Sequence, residues 1–410
     1  METGTKLTAA SPIFLRRVGL QNYKSIARCS LELQALNFLV GPNGAGKSNF
    51  LDALRFTADC LNTSVEHALR DRGGIAEVRR RSTGHPTHFA VRLDWTLPTG
   101  NFGFYSFLIG SKKDGGFEVA REKCLVNAPG QVFGEAGYEV RAGRLHDCTL
   151  AAPPAPAADR LFLVAASGQP EFRPLYDALS RLGLYHFNPG VIREWQAPDM
   201  GEVLAPDGRN LASVLKRLRE TDPTRLDDIV ARLGGIVPGI QGVTNRPMGK
   251  KETLEFRQAV PGRKEPWAFG AENMSDGTLL ALGVLVALFQ PPATAGRTVP
   301  LVGIEEPERS LHPGAAAMLR SALMLAAHER QVLVTTHSPD LLDAKEITAD
   351  HILAVSQESG ESLLTTVDEV TRENLRRRLN TAGELLRLNQ ITPAPEDAAP
   401  AAASDLFANP

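Results

Sequence analysis

Gly41-Pro42-Asn43-Gly44-Ala45-Gly46-Lys47-Ser48 is the stretch that most restricts what this chain can fold into. It fits G-x-x-x-x-G-K-[ST] and stands between a short apolar run, Asn37-Phe38-Leu39-Val40, and a helix-like run, Asn49-Phe50-Leu51-Asp52-Ala53-Leu54. Strand, glycine-rich turn and helix in that order belong to an α/β domain. Glycines let the backbone curl so that its N–H groups and the helix N-terminus face phosphate oxygens. The pattern predicts a nucleoside triphosphate site, with Lys47 neutralising the outer phosphates and Ser48 ligating Mg²⁺. Asn43, Gly44, Ala45, Gly46 and Asn49 make up the rest of the expected ATP-binding loop.

At 410 residues the chain is long enough for a large α/β domain with insertions or for two to three domains. A formal net charge of −2 gives no global attraction to nucleic acid or membrane, so any DNA contact has to come from a local basic patch. Cys29, Cys60, Cys124 and Cys148 form no CxxC pair and predict reduced thiols, neither a disulfide framework nor a zinc site. No run approaches the length needed to span a bilayer, and residues 1–11 lack a signal-peptide layout. The expectation is a soluble cytoplasmic protein with no membrane partner.

Residues 14–20 and 29–33 read as two strands joined through a turn at Asn22-Tyr23-Lys24-Ser25, feeding the phosphate loop. Residues 66–87 are polar and arginine-rich, including Arg70, Arg72 and Arg79-Arg80-Arg81; a solvated surface and a DNA contact both account for them. Three alternating runs, 90–97, 102–109 and 117–126, are separated by turns and predict an antiparallel meander. Residues 172–235 carry helical spacing, with Pro223 dividing two helices. Residues 252–259 read as a strand returning to the main fold, and the Ala/Pro-rich tail from Thr392 as disordered.

Three further motifs bear on chemistry. Val299-Pro300-Leu301-Val302-Gly303-Ile304 is an apolar strand running into Glu305-Glu306-Pro307-Glu308. Strand alternation would send the first two carboxylates to opposite sides, Glu305 to the metal and Glu306 to the attacking water, since in-line phosphoryl transfer needs both. An acidic helix start is the structural alternative. Gln331-Val332-Leu333-Val334-Thr335-Thr336 is a second buried strand with His337 at its tip, within reach of the γ-phosphate or the water. Ser275-Asp276-Gly277 precedes the apolar run 279–289, where Ser275 can cap a helix and Gly277 can let backbone approach a ligand closely.

These motifs, in this order, resemble the ATP-binding cassette class of ATPases. The resemblance implies a P-loop NTPase of ABC-ATPase type: a twisted, mostly parallel sheet with an antiparallel β-subdomain and a helical insertion. It implies that Ser275-Asp276-Gly277 is the signature segment, contacting ATP bound to a second copy, that His337 is the switch histidine, and that the chain dimerises on ATP. Asn22-Tyr23-Lys24-Ser25 and the phosphate loop look like the opening of SMC-type and RecF-type ATPases. Ile304-Glu305-Glu306-Pro307-Glu308, Leu311-His312-Pro313 and Thr335-Thr336-His337-Ser338-Pro339 look like the overcoming-lysogenization-defect (OLD) group. Glu305 stands where many cassettes have Asp. OLD nucleases carry a Toprim domain after the ATPase, but the stretch after His337 is short and holds no Asp-x-Asp, so no nuclease is expected here. For the family's Q-loop glutamine, Gln131 and Gln169 are the candidates.

The expected organisation is an N-terminal lobe with phosphate loop and meander (1–165), a mostly helical insertion (166–245), a C-terminal lobe with signature, Walker B and switch histidine (246–370), and a C-terminal helix with disordered tail (371–410). The expected function is an ATP-hydrolysing, Mg²⁺-dependent switch acting on DNA or with a separate nuclease or toxin effector, in DNA repair or anti-phage defence. The cluster Lys216, Arg217 and Arg219 is a second possible phosphate contact. The alternative is the energising subunit of a membrane transporter. The long stretch between Ser48 and Ser275 and the meander count against it.

Overall fold

The first three strands, β1 (Leu15–Tyr23), β2 (Ile26–Glu32) and β3 (Leu36–Val40), lead into the phosphate loop and helix α1 (Lys47–Asn62). The meander follows as β4 (His88–Thr96), β5 (Phe102–Ser111) and β6 (Phe117–Asn127), continued by β7 (Ala136–Arg141) and β8 (Arg144–Cys148). Then come β9 (Gly183–Tyr185), β10 (Ile240–Met248), β11 (Lys251–Gln258), β12 (Trp267–Gly270), β13 (Leu301–Glu305), β14 (Gln331–Thr336), β15 (Ile352–Glu358) and β16 (Glu361–Thr366). The structure is a computed structural model that describes residues 13–82, 84, 86–128, 136–290, 299–395 and 406.

The strands form three sheets. A six-stranded sheet runs β16-β15-β3-β14-β13-β9, parallel throughout except for β16. Its central strands are apolar on both sides because both faces are covered. On β3, Phe38 and Val40 point into one core while Leu39 points into the other; on β14, Val332 and Val334 oppose Leu333 in the same way. A seven-stranded antiparallel sheet, β2-β1-β4-β5-β6-β7-β8, lies across α1 from it. Phe56 of α1 joins the layers, its ring 6.2 Å from Tyr23 and 5.4 Å from Phe89 in edge-on contacts.

The opposite face is covered by helices, chief among them Asp276–Phe289. Every residue from Gly277 to Phe289 is buried, and a helix apolar all round can sit only in an interior. Each of its buried leucine and valine side chains contributes roughly 1.5–3 kcal/mol of burial. Ser275 caps it: the backbone is extended there and Oγ accepts from Thr278 N at 3.2 Å.

Within the span 172–235, where helices predominate, β9 pairs in parallel with β13 and forms an edge of the central sheet. Two expectations need correcting. The strand expected at 252–259 exists as β11, but it joins β10 and β12 in a separate three-stranded antiparallel sheet. The tail expected from Thr392 begins as ordered backbone: Ala394 N donates to Thr366 O at 2.8 Å and Asp368 N to Thr392 O at 2.9 Å. Beyond Pro395 the tail lies outside the described residues, apart from Leu406, which is buried against Ala90.

Candidate nucleotide site

β3, β14 and β13 are neighbours, and all three end at one edge of the sheet. In register, Val40 pairs with Thr336 and Thr335 with Glu305, so the residues that follow each strand converge. The edge beyond the carboxyl ends of parallel strands is where open α/β sheets bind ligands.

The phosphate loop turns there with Gly44 at φ 80° and Gly46 at φ 106°. Gly46 has no alternative: a Cβ would fall 2.2 Å from Ser362 Oγ, and its φ is left-handed. The first turn of α1 has no side-chain cap, which leaves its N–H groups for an anion. Lys47 is buried, and Nζ donates to the Gly41 and Pro42 carbonyls at 2.8 and 2.9 Å. Burial lowers the Lys47 ammonium from its ordinary range, opposed by the charges of Glu306 and Glu308. Asn49 Nδ2 donates to Ser25 Oγ at 2.7 Å.

Glu305 ends β13 with its side chain largely buried. Burial raises its carboxyl, but hydrogen bonds from His186 and Ser48 and the Arg55 charge outweigh burial and hold it below the ordinary range. Its two oxygens lie 3.4 Å from Arg55 Nη2 and 3.5 Å from His186 Nδ1. An ionised carboxylate beside a serine hydroxyl suits Mg²⁺, which takes one or two protein oxygens and completes its shell from phosphate and water. Among the described residues no larger cluster of His, Cys, Asp or Glu is assembled for a metal.

The expected alternation of Glu305 and Glu306 does not hold. β13 stops at Glu305, and Glu306 takes a left-handed φ of 44°. A turn in the backbone, not strand pleating, separates the two carboxylates. That conformation is unusual for a glutamate and is held by Glu306 N donating to Thr335 O at 3.0 Å and Thr335 Oγ1 at 3.2 Å. Glu306 Oε1 lies 3.3 Å from His337 Nδ1, so these two expected residues are brought together.

Ser275, Asp276 and Gly277 are not joined to the phosphate loop by any recorded polar contact among the described residues. Ser275 is exposed and its hydroxyl bonds Thr278; exposed Asp276 accepts from Arg193 Nη2 at 2.5 Å. At Gly277 the backbone packs closely on its own chain, where a Cβ would fall 2.3 Å from Ser310 O.

Three residues were not assigned from the sequence. Arg55 stands seven residues after Ser48, two helical turns along the same face, and that spacing could have flagged it. His186 follows a three-residue strand too short to signal itself. Glu308 accepts from Thr336 Oγ1 at 2.5 Å while its other oxygen is buried with no partner among the described residues. Burial pushes the Glu308 carboxyl up, although the Thr336 bond opposes it. Of the glutamine candidates, Gln131 lies outside the described residues and Gln169 shows no side-chain hydrogen bond among them.

The basic segments also resolve. Arg72 is buried against Asp52 and Asp59, Arg80 pairs with Glu361 and Arg81 with Glu77, so much of 66–87 is committed internally. Arg217 pairs with Glu202.

Residues 36–114 and 206–343, more than half of the chain, match the family described as "AAA domain, putative AbiEii toxin, Type IV TA system". The chain is 24% identical over 387 residues to the OLD nuclease of Thermus scotoductus (strain ATCC 700910 / SA-01), covering 90% of this chain and 68% of that protein. Over 47 residues it is 51% identical to the chromosome partition protein Smc of Desulfitobacterium hafniense (strain Y51), covering 11% of this chain but only 4% of that much longer one. In fold it is similar to an Smc head crystallised with the C-terminal winged-helix domain of ScpA, with a TM-score of 0.54 at 14% identity, covering 87% of this chain and 99% of that one. The chain therefore belongs to this AAA-domain family; in sequence it is similar to an OLD nuclease and in fold to an Smc head.

Proposed function

We propose that this chain is a switch that binds ATP, closes into a dimer around it and opens on hydrolysis, acting on DNA or on a separate nuclease or toxin effector in repair or anti-phage defence. The observation that carries this reading is the convergence of Lys47, Ser48, Glu305, Glu306 and His337 at the ends of three adjacent parallel strands. The loop from Asn43 to Asn49 cradles the phosphates, and Lys47 exchanges its two carbonyl partners for phosphate oxygens. Ser48 and Glu305 would hold Mg²⁺, which when bound would neutralise phosphate charge as a Lewis acid. Glu306 accepts a proton from the water that attacks the γ-phosphorus, ADP leaves, and His337 keeps the Glu306 carboxylate aimed. Ser275, Asp276 and Gly277 of one protomer cover the phosphate loop of the other.

Steady-state phosphate release from the purified chain tests this, with Mg²⁺ varied and with and without linear duplex DNA. Mg²⁺-dependent turnover is expected, and stimulation that fades with added salt assigns the trigger to DNA. Turnover indifferent to DNA moves the trigger to a protein effector. No phosphate release at any Mg²⁺ concentration refutes the ATPase reading.

His186 and Arg55 give a sharper check. Groups that orient a metal-binding side chain are typically worth about 10–100-fold in metal affinity or activity. His186→Ala is expected to raise the Mg²⁺ concentration for half-maximal turnover about tenfold. An unchanged Mg²⁺ titration would show that the contact with Glu305 does not orient it.

A further inference from the structure

The seven-stranded sheet has a second face, turned away from α1, and that face carries a buried apolar seat. The strand register defines it. Gly19 pairs with Arg92 and Arg92 with Ser106; on the next rung Gln21 pairs with Ala90 and Ala90 with Leu108. Directly paired residues share a face, so all of these stand on one side. Leu20, Val91 and Phe107, one residue along, take the other side, in the core that holds α1. Ala90 and Leu108 belong to neither main core. Their apolar partner is Leu406, which is 7% exposed.

Three observations fit Leu406 to this place. Its side chain lies over Gly19, where a Cβ would fall 2.9 Å from Leu406 Cδ2. Gly19 sits in mid-strand with no positive φ, so a side chain there would take away space and nothing else. Arg92 Nη1 donates to Leu406 O at 3.2 Å in a buried contact. That guanidinium is itself fixed, with Nε donating to Asp94 Oδ1 at 2.7 Å and Cζ lying 4.1 Å from the centre of the Phe104 ring. A clamp preorganised by its own fold loses little freedom when it takes a peptide carbonyl. Charge agrees: Arg121 and Lys123 follow on the same face, opposite Leu108 and Ser106, and Leu406 is preceded in sequence by Asp405. The tail leaves the six-stranded sheet at β16, where Ala394 N bonds Thr366 O, and Leu406 meets the first strand of the chain.

We propose that this outer face is a docking site for the chain's own C-terminal tail, with Leu406 as the anchor, Gly19 and Ala90 as its seat and Arg92 as the clamp on its carbonyl. The occupant belongs to the same molecule, so it meets the seat at a high effective concentration and keeps it covered. A partner offering the same chemistry, a leucine preceded by an acid, would reach the seat only by displacing the tail. The proposal goes beyond the ATPase reading and does not rest on it, since no residue of the nucleotide site takes part.

The test is fluorescence anisotropy, without ATP, of a labelled peptide of residues 400–410 titrated with the full chain and its variants. The parent is expected to bind it weakly, because its seat is filled from within. Leu406→Asp empties the seat and is expected to bind the peptide at least about tenfold more tightly than the parent. A peptide carrying Leu406→Ala is expected to bind that variant about tenfold more weakly, the loss of one buried leucine side chain. In a chain with both Leu406→Asp and Gly19→Val the added side chain fills the seat, and binding is expected to be lost. Ala90→Leu in the same background blocks it independently, and an unchanged thermal transition in either blocked chain excludes misfolding. Leu406→Asp binding the peptide no better than the parent would overturn the proposal. So would equal binding of the Leu406→Ala peptide, or undiminished binding by the blocked chains. A parent that is dimeric in light scattering, against a monomeric Leu406→Asp, would overturn the internal seating in favour of a second copy. Because ATP is left out throughout, these results leave the ATPase reading to be decided by phosphate release.

Discussion

Glu306→Gln is expected to bind ATP much as the parent chain does and to release phosphate about 10²–10⁴ times more slowly. The amide is nearly isosteric, so the left-handed turn at residue 306 and its two backbone bonds to Thr335 survive. What is lost is the proton acceptor beside His337. Binding without turnover would leave a lasting ATP-bound dimer, readable as a doubled mass in light scattering when ATP is added. Parent-like turnover would remove Glu306 from the water-activating role, and Glu308 would become the first residue to examine. Its second oxygen is buried with no partner among the described residues, and the charges of His337 and Glu306 act on the same carboxyl.

Lys47→Ala is expected to weaken ATP binding by at least about 30-fold, from the roughly 2–5 kcal/mol lost when one partner of a buried charge contact is removed. The side chain is buried, with Glu306 and Glu308 as its nearby negative charges. A phosphate entering the loop would therefore meet a charge already stripped of most of its water. Calorimetric titration with a non-hydrolysable ATP analogue reads the loss directly. Lys47→Met keeps the length of the side chain but loses both the charge and the two hydrogen bonds that Nζ donates to loop carbonyls, and so separates the ammonium from the packing of its stem. Equal affinity in both variants and the parent would mean that the loop holds phosphate through backbone groups alone.

The central sheet was legible because its strands are apolar runs that stop at chemistry: Val40 before the phosphate loop, Ile304 before Glu305, Thr336 before His337. A strand covered on both faces has to be apolar, and its end has to be polar if it meets a ligand, so run and motif reinforce each other. β9 escaped because three residues carry no period, and with it His186, whose only distinction is where β9 ends. β11 was legible as a strand but not in its partner, because pairing is a long-range matter that local alternation does not encode. The left-handed Glu306 had no local signal at all. Glutamate has no preference for that region, and the conformation is imposed by Thr335 from the neighbouring strand.

The contact between Gly277 and Ser310 O has a consequence for timing. Ser310 lies four residues after Glu306 and, like it, has a left-handed φ, so the two are stations on one tight loop. With no side chain between them, the first turn of the signature helix rests directly on that loop. Within one protomer, movement at its own Glu306 would thus be passed to its own Ser275. In the proposed dimer that serine would serve the opposite nucleotide. Each protomer would then report the state of its own ATP to its neighbour's, and the two hydrolysis events would be correlated in time rather than independent.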